Sequence, residues 1–363
     1  DKSTPDFYIE INPSSGAQHS AITMTITINS SVVKGWAVAA SHALDAIGVD
    51  GDELLKKSGV DLSQDYSSDV RYSSVQTRYF WSLALKETQR EDIGLHVAKF
   101  VNPITFHAVG FSMWASATFY DALNRMVTFD TLLNDGCSLT FTSDEKFATF
   151  GLSVHHGEGG ALVSEQGVDY FLAAVVKILT DMQYAPFSPV CVSLERSAPN
   201  AIEPWLKAFN CPVTFGCSDN HILFNLALLN KVLPTGDIAL ATENDKLVTQ
   251  YIQQYQLQNT VKALEAKLIE LMPLGIVGID YVAQALRVTT RSLQYKLAQS
   301  NTSFTQVLNN TRQGIAKQYL QSSDKSINEI AYSLGFSEPS HFNRAFKRWY
   351  QQTPSDFRLK SRL

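Results

Sequence analysis

One stretch of this chain is written twice near its C-terminus, and the repeat restricts the fold more than any other feature. Residues 279–297 read IDYVAQALRVTTRSLQYKL, and residues 326–358 read SINEIAYSLGFSEPSHFNRAFKRWYQQTPSDFR. At an offset of 48, Ile279 falls on Ile327, Val282 on Ile330, Ala283 on Ala331, Leu286 on Leu334 and Val288 on Phe336. The helix starts Thr289 and Ser337 align at the same offset. Each copy reads as a short helix, a tight turn and a second helix, the helix-turn-helix pattern. Two copies about 50 residues apart, each with one polar and basic helix face, suit two successive turns of DNA.

Charge agrees with the repeat. The chain carries −5 overall, but residues 261–363 hold 14 Lys and Arg against 7 Asp and Glu, leaving 16 against 28 before them. The C-terminal part is thus +7 and the remainder −12, so only the former is suited to a polyanion. With 45% apolar and 18% charged residues in 363, the composition is that of a globular chain with room for two or three cores. Cys137, Cys191, Cys211 and Cys217 form no CxxC pair, and read as reduced, mostly buried thiols of a cytoplasmic protein. No apolar run reaches the roughly 18 residues that a membrane span needs, so no membrane partner is expected.

Residues 1–23 are polar, contain Pro5, Pro13 and Gly16, and lack helical periodicity; they read as a disordered tail or an appended remnant, with Met24 a candidate start. Helical spacing of apolar residues predicts helices over 31–47, 73–87, 118–129 and 170–182. Alternation over 137–142 and 147–155, separated by Ser143, Asp144 and Glu145, predicts a hairpin. Residues 190–194, 213–215 and 221–224 read as short strands. The first 240 residues therefore read as an α+β domain, and everything from 260 onward as all-α. The glutamine-rich 251–259 is expected to be a linker or a helix end, giving domains over 24–250 and 260–363.

Local signals place the DNA-facing side chains. Thr289 and Ser337 are the expected caps of the two second helices, with Pro339 tolerated in the opening turn. Ser326 and Glu329 make an S-x-x-E capping box, and Gly335 suits the tight turn. Phe342, Phe346 and Trp349 recur at three- and four-residue steps and are read as core. Glu338, Ser340, His341, Arg344 and Lys347 are left facing outward. In the first copy Leu293 and Leu297 point inward, leaving Thr290, Arg291, Gln294 and Tyr295 outside. Arg can bond guanine O6 and N7 with both arms, and Gln adenine N6 and N7, so the outward residues other than Lys347 are candidate base readers. Lys296, Lys317, Lys347, Arg348 and Arg358 are candidate phosphate contacts. The bland alternative is an ordinary solvated basic face on a helical bundle. Gly314 is a weak point of the connecting helix, costing about 1 kcal/mol relative to Ala.

Gly335, Phe336, Ser337, Ser340, Phe342, Arg344, Phe346 and Lys347, then Thr353, Pro354, Ser355, Phe357 and Arg358, form a long and specific pattern. In these residues the chain resembles the AraC/XylS family of bacterial transcription regulators. The resemblance implies a seven-helix domain whose two recognition helices enter adjacent major grooves. Arg287 departs from it, standing where the family often has glycine, and so does Tyr295, where a basic residue is common. Upstream, residues 201–224 (Trp205, Phe209, Cys211-Pro212-Val213, Phe215-Gly216) and 229–234 resemble the N-terminal domain of the ornithine-utilisation-regulator branch, which implies an effector-binding and dimer-forming unit over 24–250.

That domain is rich in aromatics, and an apolar pocket with a few polar anchors suits a small molecule. Phe106, His107, Phe111, Trp114 and Phe119 are the candidate effector-pocket residues, with plain core packing as the alternative for each. His155-His156 and the glycines at 157, 159 and 160 read as a hairpin exit rather than a metal or phosphate loop, because no second ligand pair and no Lys-Ser/Thr accompany them. No cofactor, metal or catalytic residue is expected, and no nucleophile–base–acid set stands out. The combined expectation is a cytoplasmic, effector-responsive activator whose partners are double-stranded DNA, RNA polymerase, a small molecule and a second copy of the chain. The alternatives are an architectural DNA binder without a ligand, and an enzyme domain fused to a DNA-binding module.

Overall fold

The computed structural model describes residues 30–63, 70–157, 159–183 and 187–361. The expectation for residues 1–23 lies outside the described residues. Strands are β1 (Ser31–Val33), β2 (Arg71–Ser73), β3 (Cys137–Ser143), β4 (Phe147–Val154), β5 (His156–Gly157), β6 (Gly160–Ala161), β7 (Cys191–Leu194), β8 (Val213–Phe215) and β9 (Asn220–Asn225). Helices of the N-terminal domain are α1 (Gly35–Asp45), α2 (Gly51–Lys57), α3 (Ser74–Thr88), α4 (Ile93–Ala98), α5 (His107–Trp114), α6 (Phe119–Thr128), α7 (Asp130–Leu133), α8 (Glu165–Asp181), α9 (Glu203–Phe209) and α10 (Leu226–Leu229). Then come the long α11 (Ile238–Leu271) and α12 (Ile279–Ala285), α13 (Thr290–Gln299), α14 (Phe304–Ser322), α15 (Ile327–Ser333), α16 (Pro339–Tyr350) and α17 (Pro354–Ser361).

The α+β reading of the N-terminal domain holds. Its central sheet has the order β3-β4-β9-β7-β8, antiparallel except for the β7–β8 pair. Alternate residues Ala148, Phe150 and Leu152 on β4, with Ile222 and Phe224 on β9, are buried, so one sheet face belongs to the core. The β3–β4 hairpin forms where alternation predicts it, and the Asp144 carboxylate closes it by accepting from the backbone N–H groups of Lys146 (2.7 Å) and Phe147 (2.8 Å). Helix α8, capped by Ser164, is buried over most of its length, which is why its sequence is apolar nearly all round.

Burial of polar groups has a cost that the core must offset. Asp169 on α8 is fully buried and pairs with Arg196, whose guanidinium stacks 4.7 Å from the Trp205 ring. Burial pushes the Asp169 carboxyl up to about 6 even though Arg196 and the Trp205 indole pull it down. Its folded value thus lies above the ordinary 3.8, so from about pH 4 to 6 the folded state holds more proton than the unfolded one. The contribution of this group to stability is therefore greatest below pH 4 and falls as pH rises through 6.

Two elements depart from the sequence reading. Residues 31–33 are a strand rather than the start of a helix: β-branched Val32 and Val33 pair with Tyr72 and Arg71 of β2, and the helix begins only at Gly35. The stretch 251–259 is not a linker but the middle of α11, a single 34-residue helix that enters both halves of the molecule. Its N-terminal part is pinned by Asp245, which accepts from Arg125 Nε at 3.2 Å and from the buried Ser112 hydroxyl. Its middle is pinned by Tyr255, whose hydroxyl bonds Asp135 and lies 2.7 Å from Ser31 Oγ while Arg71 sits 4.1 Å over its ring.

Two outcomes are expected from this packing. Tyr255→Phe leaves the Asp135 carboxylate short of a donor and is expected to cost about 1.5–3 kcal/mol, measured by urea unfolding; an unchanged midpoint would show that the contact carries no stability. For Asp169→Asn, the wild-type melting temperature is expected to fall relative to that of the variant between pH 4 and 6.5, and a pH-independent difference would contradict the linkage.

Candidate nucleic-acid interface

Beyond Val248 the next buried side chains of α11 are Leu264, Lys267 and Leu268. Leu264 and Leu268 join Met272, Val282, Ala283, Leu293 and Leu297 in one core cluster, which holds α12 and α13. A second cluster of Ala316, Leu320, Ile330, Ala331, Leu334, Phe342 and Phe346 holds α15 and α16. Helix α14 supplies both, and Ile315 packs against each. The doubled sequence therefore becomes two separate small cores on a shared helix, each presenting one polar helix outward.

The local signals mostly act as their chemistry requires. Thr289 caps α13 by accepting from the Ser292 N–H at 3.1 Å, and Ser326 with Glu329 forms the reciprocal capping box of α15. These hydrogen bonds hold the Glu329 carboxyl below its usual range. Ser337 does not cap α16: the cap residue is Glu338, its side chain makes no cap bond, and Pro339 opens the helix. Proline lacks an N–H that would need satisfying, which makes the missing cap tolerable.

Leu293 and Leu297 face inward on α13, as Phe342 and Phe346 do on α16. Arg291, Gln294, Tyr295 and Lys296 are exposed on the first recognition helix, and Ser340, His341, Arg344, Lys347 and Arg348 on the second, with Glu338 at its start. Lys317 is exposed on α14. Among the described residues none of Arg291, Lys296, Lys317, Arg344, Lys347 and Arg348 is held in an ion pair, so their charge is available to an outside anion. Two members of the predicted set are engaged within the domain. The Thr290 hydroxyl donates to Asp280 at 2.8 Å, and Arg358 donates to the Lys325 carbonyl at 2.6 Å, tying α17 to the entry of α15. Trp349 is only half-buried, packed at the edge of the second core.

Arg312 escapes a reading of the sequence. It is half-buried on α14, donates to the carbonyls of Leu334 (2.9 Å) and Gly335 (2.8 Å), and stacks 4.2 Å over Phe336. It thereby fixes the turn of the second motif, and burial lowers its basicity. An arginine on a polar helix carries no sequence signal that separates this role from a solvated one.

The candidate effector residues do not line one cavity. Phe106 borders a cavity in the N-terminal domain, whereas His107 borders another beside α11 and meets Tyr251 edge-on at 4.4 Å. Phe111 is 46% exposed, and Phe119 is fully buried against Phe187. Trp114 is half-buried and borders neither cavity. Helical geometry separates them: residues 107–114 wind round α5, so neighbours in sequence point to different faces. His156 and Gly157 pair with Ala161 and Gly160 as a two-residue ladder, and Arg78 donates to the Gly159 and Ala161 carbonyls.

Comparison with known proteins agrees with both halves. The arabinose-binding N-terminal domain of AraC transcription regulators matches residues 48–233, and a helix-turn-helix domain family matches 282–360. The chain belongs to the AraC family. It is similar to the ornithine utilization regulator of Pseudomonas aeruginosa, 22% identical over 266 residues that cover 73% of this chain and 78% of that one. It is also similar to the urease operon transcriptional activator of Escherichia coli, 42% identical over 84 residues, 23% of this chain and 28% of the relative. The crystal structure of the transcriptional regulator CdpR from Pseudomonas aeruginosa aligns with a TM-score of 0.42 at 18% identity, covering 85% of this chain and 96% of that one. The chain is thus a DNA-binding transcription regulator and not an enzyme.

The two motifs share a left-handed turn but make it with different residues. Arg287 and Gly335, 48 residues apart, both take left-handed conformations, φ +56° and +68°. Arg287→Gly is expected to stabilise the first motif by about 1 kcal/mol by removing Cβ strain. A Cβ at Gly335 would lie 2.7 Å from Val277 Cγ1 and 3.1 Å from the Met272 carbonyl oxygen, so Gly335→Ala is expected to destabilise by more than about 1 kcal/mol. Urea unfolding of both variants checks the opposite signs, and a shared sign would refute the strain argument.

Proposed function

We propose that the protein is an effector-responsive transcription activator that reads two adjacent major grooves of its operator. The observation that carries this reading is the pair of exposed, unpaired basic faces, each on its own small core, joined through α14 to a helix that begins inside the N-terminal domain. Arg291 and Gln294 on α13, with His341 and Arg344 on α16, have the chemistry for base edges. Tyr295, Glu338 and Ser340 lie on the same outward faces, and Thr290 reaches DNA only by leaving Asp280. Lys296, Lys317, Lys347 and Arg348 are assigned to phosphates, where a point charge gives affinity without sequence information. Arg358 is reassigned to holding α17 in place. An effector would act by favouring one arrangement of the motifs, to the extent that its affinity differs between arrangements. RNA polymerase and a second copy of the chain are the partners an activator of this kind calls for, in the bacterial cytoplasm where the DNA is.

The test is a binding titration on operator and random DNA over a range of salt. Arg344→Ala is expected to lose about 1–3 kcal/mol of discrimination between them. Lys347→Ala is expected to weaken both alike and to reduce the salt slope by about 1. Equal loss from Arg344→Ala on both DNAs, or a sequence-selective loss from Lys347→Ala, would reverse the two assignments.

A further inference from the structure

A cavity of about 50 Å³ lies inside the N-terminal domain, walled by β1, α1, α3, α8 and the first strands of the central sheet. Trp36, Trp81, Phe106, Tyr170 and Phe171 are its aromatic wall residues, and among the described residues no Asp, Glu, Lys, Arg or His borders it. Burial, helped by Asp130 and Asp135, pushes the bordering Cys137 thiol up to about 12, so this group is also neutral. The polar residues at the wall have commitments of their own. Thr77 Oγ1 donates to the Ser73 carbonyl (3.0 Å), Thr105 Oγ1 accepts from the Asn102 N–H (3.1 Å), and Asn134 Oδ1 accepts from the Gly136 N–H (2.8 Å). Some donors are left over: the indole N–H groups of Trp36 and Trp81 and the hydroxyl of Tyr170 have no acceptor among the described residues, and that of Trp36, a residue only 3% exposed, is fully buried. Buried donors are seldom left unsatisfied, and such an orphan beside a cavity calls for an explanation.

We propose that this cavity is a ligand site for a small, uncharged, mainly apolar molecule carrying one hydrogen-bond acceptor for the Trp36 indole N–H. The assignment rests on the reading of the protein as effector-responsive and supplies the chemical class of the effector. A carboxylate or ammonium would enter without a counter-charge, which a dry apolar wall does not tolerate. A sugar would bring several hydroxyls to a wall that is mainly apolar, so an arabinose-like ligand fits poorly. A ligand larger than the cavity must move a wall, and one such wall is β1, three residues paired to β2 and bridged at Val32 to Asn134. Val32 and Val33 of β1 border the cavity, and Ser31 of the same strand bonds Tyr255 of α11. Occupancy therefore bears directly on the helix that leads to the DNA-binding half.

The experiment uses the full-length protein, with tryptophan fluorescence and thermal shift as readouts. The probes are 2-pentanone, its acceptor-free isostere 2-methyl-1-pentene, pentanoate, L-arabinose and L-ornithine. Saturable binding of 2-pentanone is expected, with pentanoate, arabinose and ornithine silent. Trp36→Phe is expected to weaken the ketone about fivefold, the worth of one hydrogen bond, and to leave the alkene unchanged. Val163→Phe, which fills the cavity from a half-buried wall position, is expected to abolish both; its melting curve confirms that it folds. A flat response to the ketone, tighter binding of any charged or sugar probe, or ketone binding that survives Val163→Phe would overturn the proposal. Operator affinity measured with and without the ketone separates the two readings. Binding of the ketone with unchanged DNA affinity would uphold the site and remove its regulatory role. Intact operator binding that responds to some other class of molecule would sink the site while the regulator reading stands.

Discussion

The hydroxyl of Tyr255, shared between Asp135 and Ser31 beneath the guanidinium of Arg71, is the contact on which the arrangement of the two halves depends. Between Val248 and Leu264 no residue of α11 is fully buried, so hydrophobic packing anchors this stretch only through half-buried residues such as Tyr251 and Ile252. Helical propensity alone is weak for a glutamine-rich segment of this length. Polar pinning adds to this partial burial. Arg71 closes the arrangement by donating to the Ser31 carbonyl and hydroxyl, both at 2.8 Å, and to the Leu132 carbonyl. Burial lowers the basicity of Arg71, opposed by Tyr255 and Asp135, as expected of a charge held by its partners rather than by water.

Such a pin is also suited to being changed. A hydrophobic contact responds little to small displacements in direction, whereas a hydrogen bond to a carboxylate is lost when its partners rotate or separate by about an ångström. The pin is built on β1, whose other two residues border the cavity of the N-terminal domain. A displacement of β1 would therefore act on both the cavity and the α11 pin. How far such an event moves an equilibrium depends on the difference in ligand affinity between the pinned and unpinned forms, not on tightness of binding as such.

Local chemistry was legible in the sequence, and long-range chemistry was not. The hairpin at Asp144, the capping box at Ser326 and Glu329, the inward Leu293, Leu297, Phe342 and Phe346, and the left-handed turn at Gly335 are each decided within a few residues, so spacing reveals them. The strand at 31–33 depends on a partner 40 residues away, Arg71 to Ser73, and three residues followed directly by a helix give no alternation to read. In 251–259 the spacing of Leu247, Tyr251, Ile252 and Tyr255 reads as helix, but the glutamines leave a helix end or a linker equally open; that the helix runs on unbroken depends on partners such as Arg71 and Asp135, far away in the chain. Arg312 and Arg358 look like solvated charges until their backbone acceptors are seen. The five aromatic and histidine candidates for the effector site share a segment of sequence but not a surface, because α5 turns His107, Phe111 and Trp114 to different sides while Phe106 precedes it and Phe119 belongs to α6.

The two helix-turn-helix units are not equivalent in what they depend on. The core of the first includes Leu264 and Leu268 of α11, whereas the core of the second contains no α11 residue and is built on α14. The first is aliphatic and carries a non-glycine residue, Arg287, in a left-handed turn. The second stacks Phe336, Phe342, Phe346, Tyr350 and Phe357 and places Gly335 where a left-handed turn needs glycine. A shift of α11 would thus reach the first unit through its core, and the second through α14 and through Met272 and Val277, which crowd the Gly335 turn. The first unit, strained at its turn, is rooted in the helix that leaves the N-terminal domain, whereas the second keeps a core of its own.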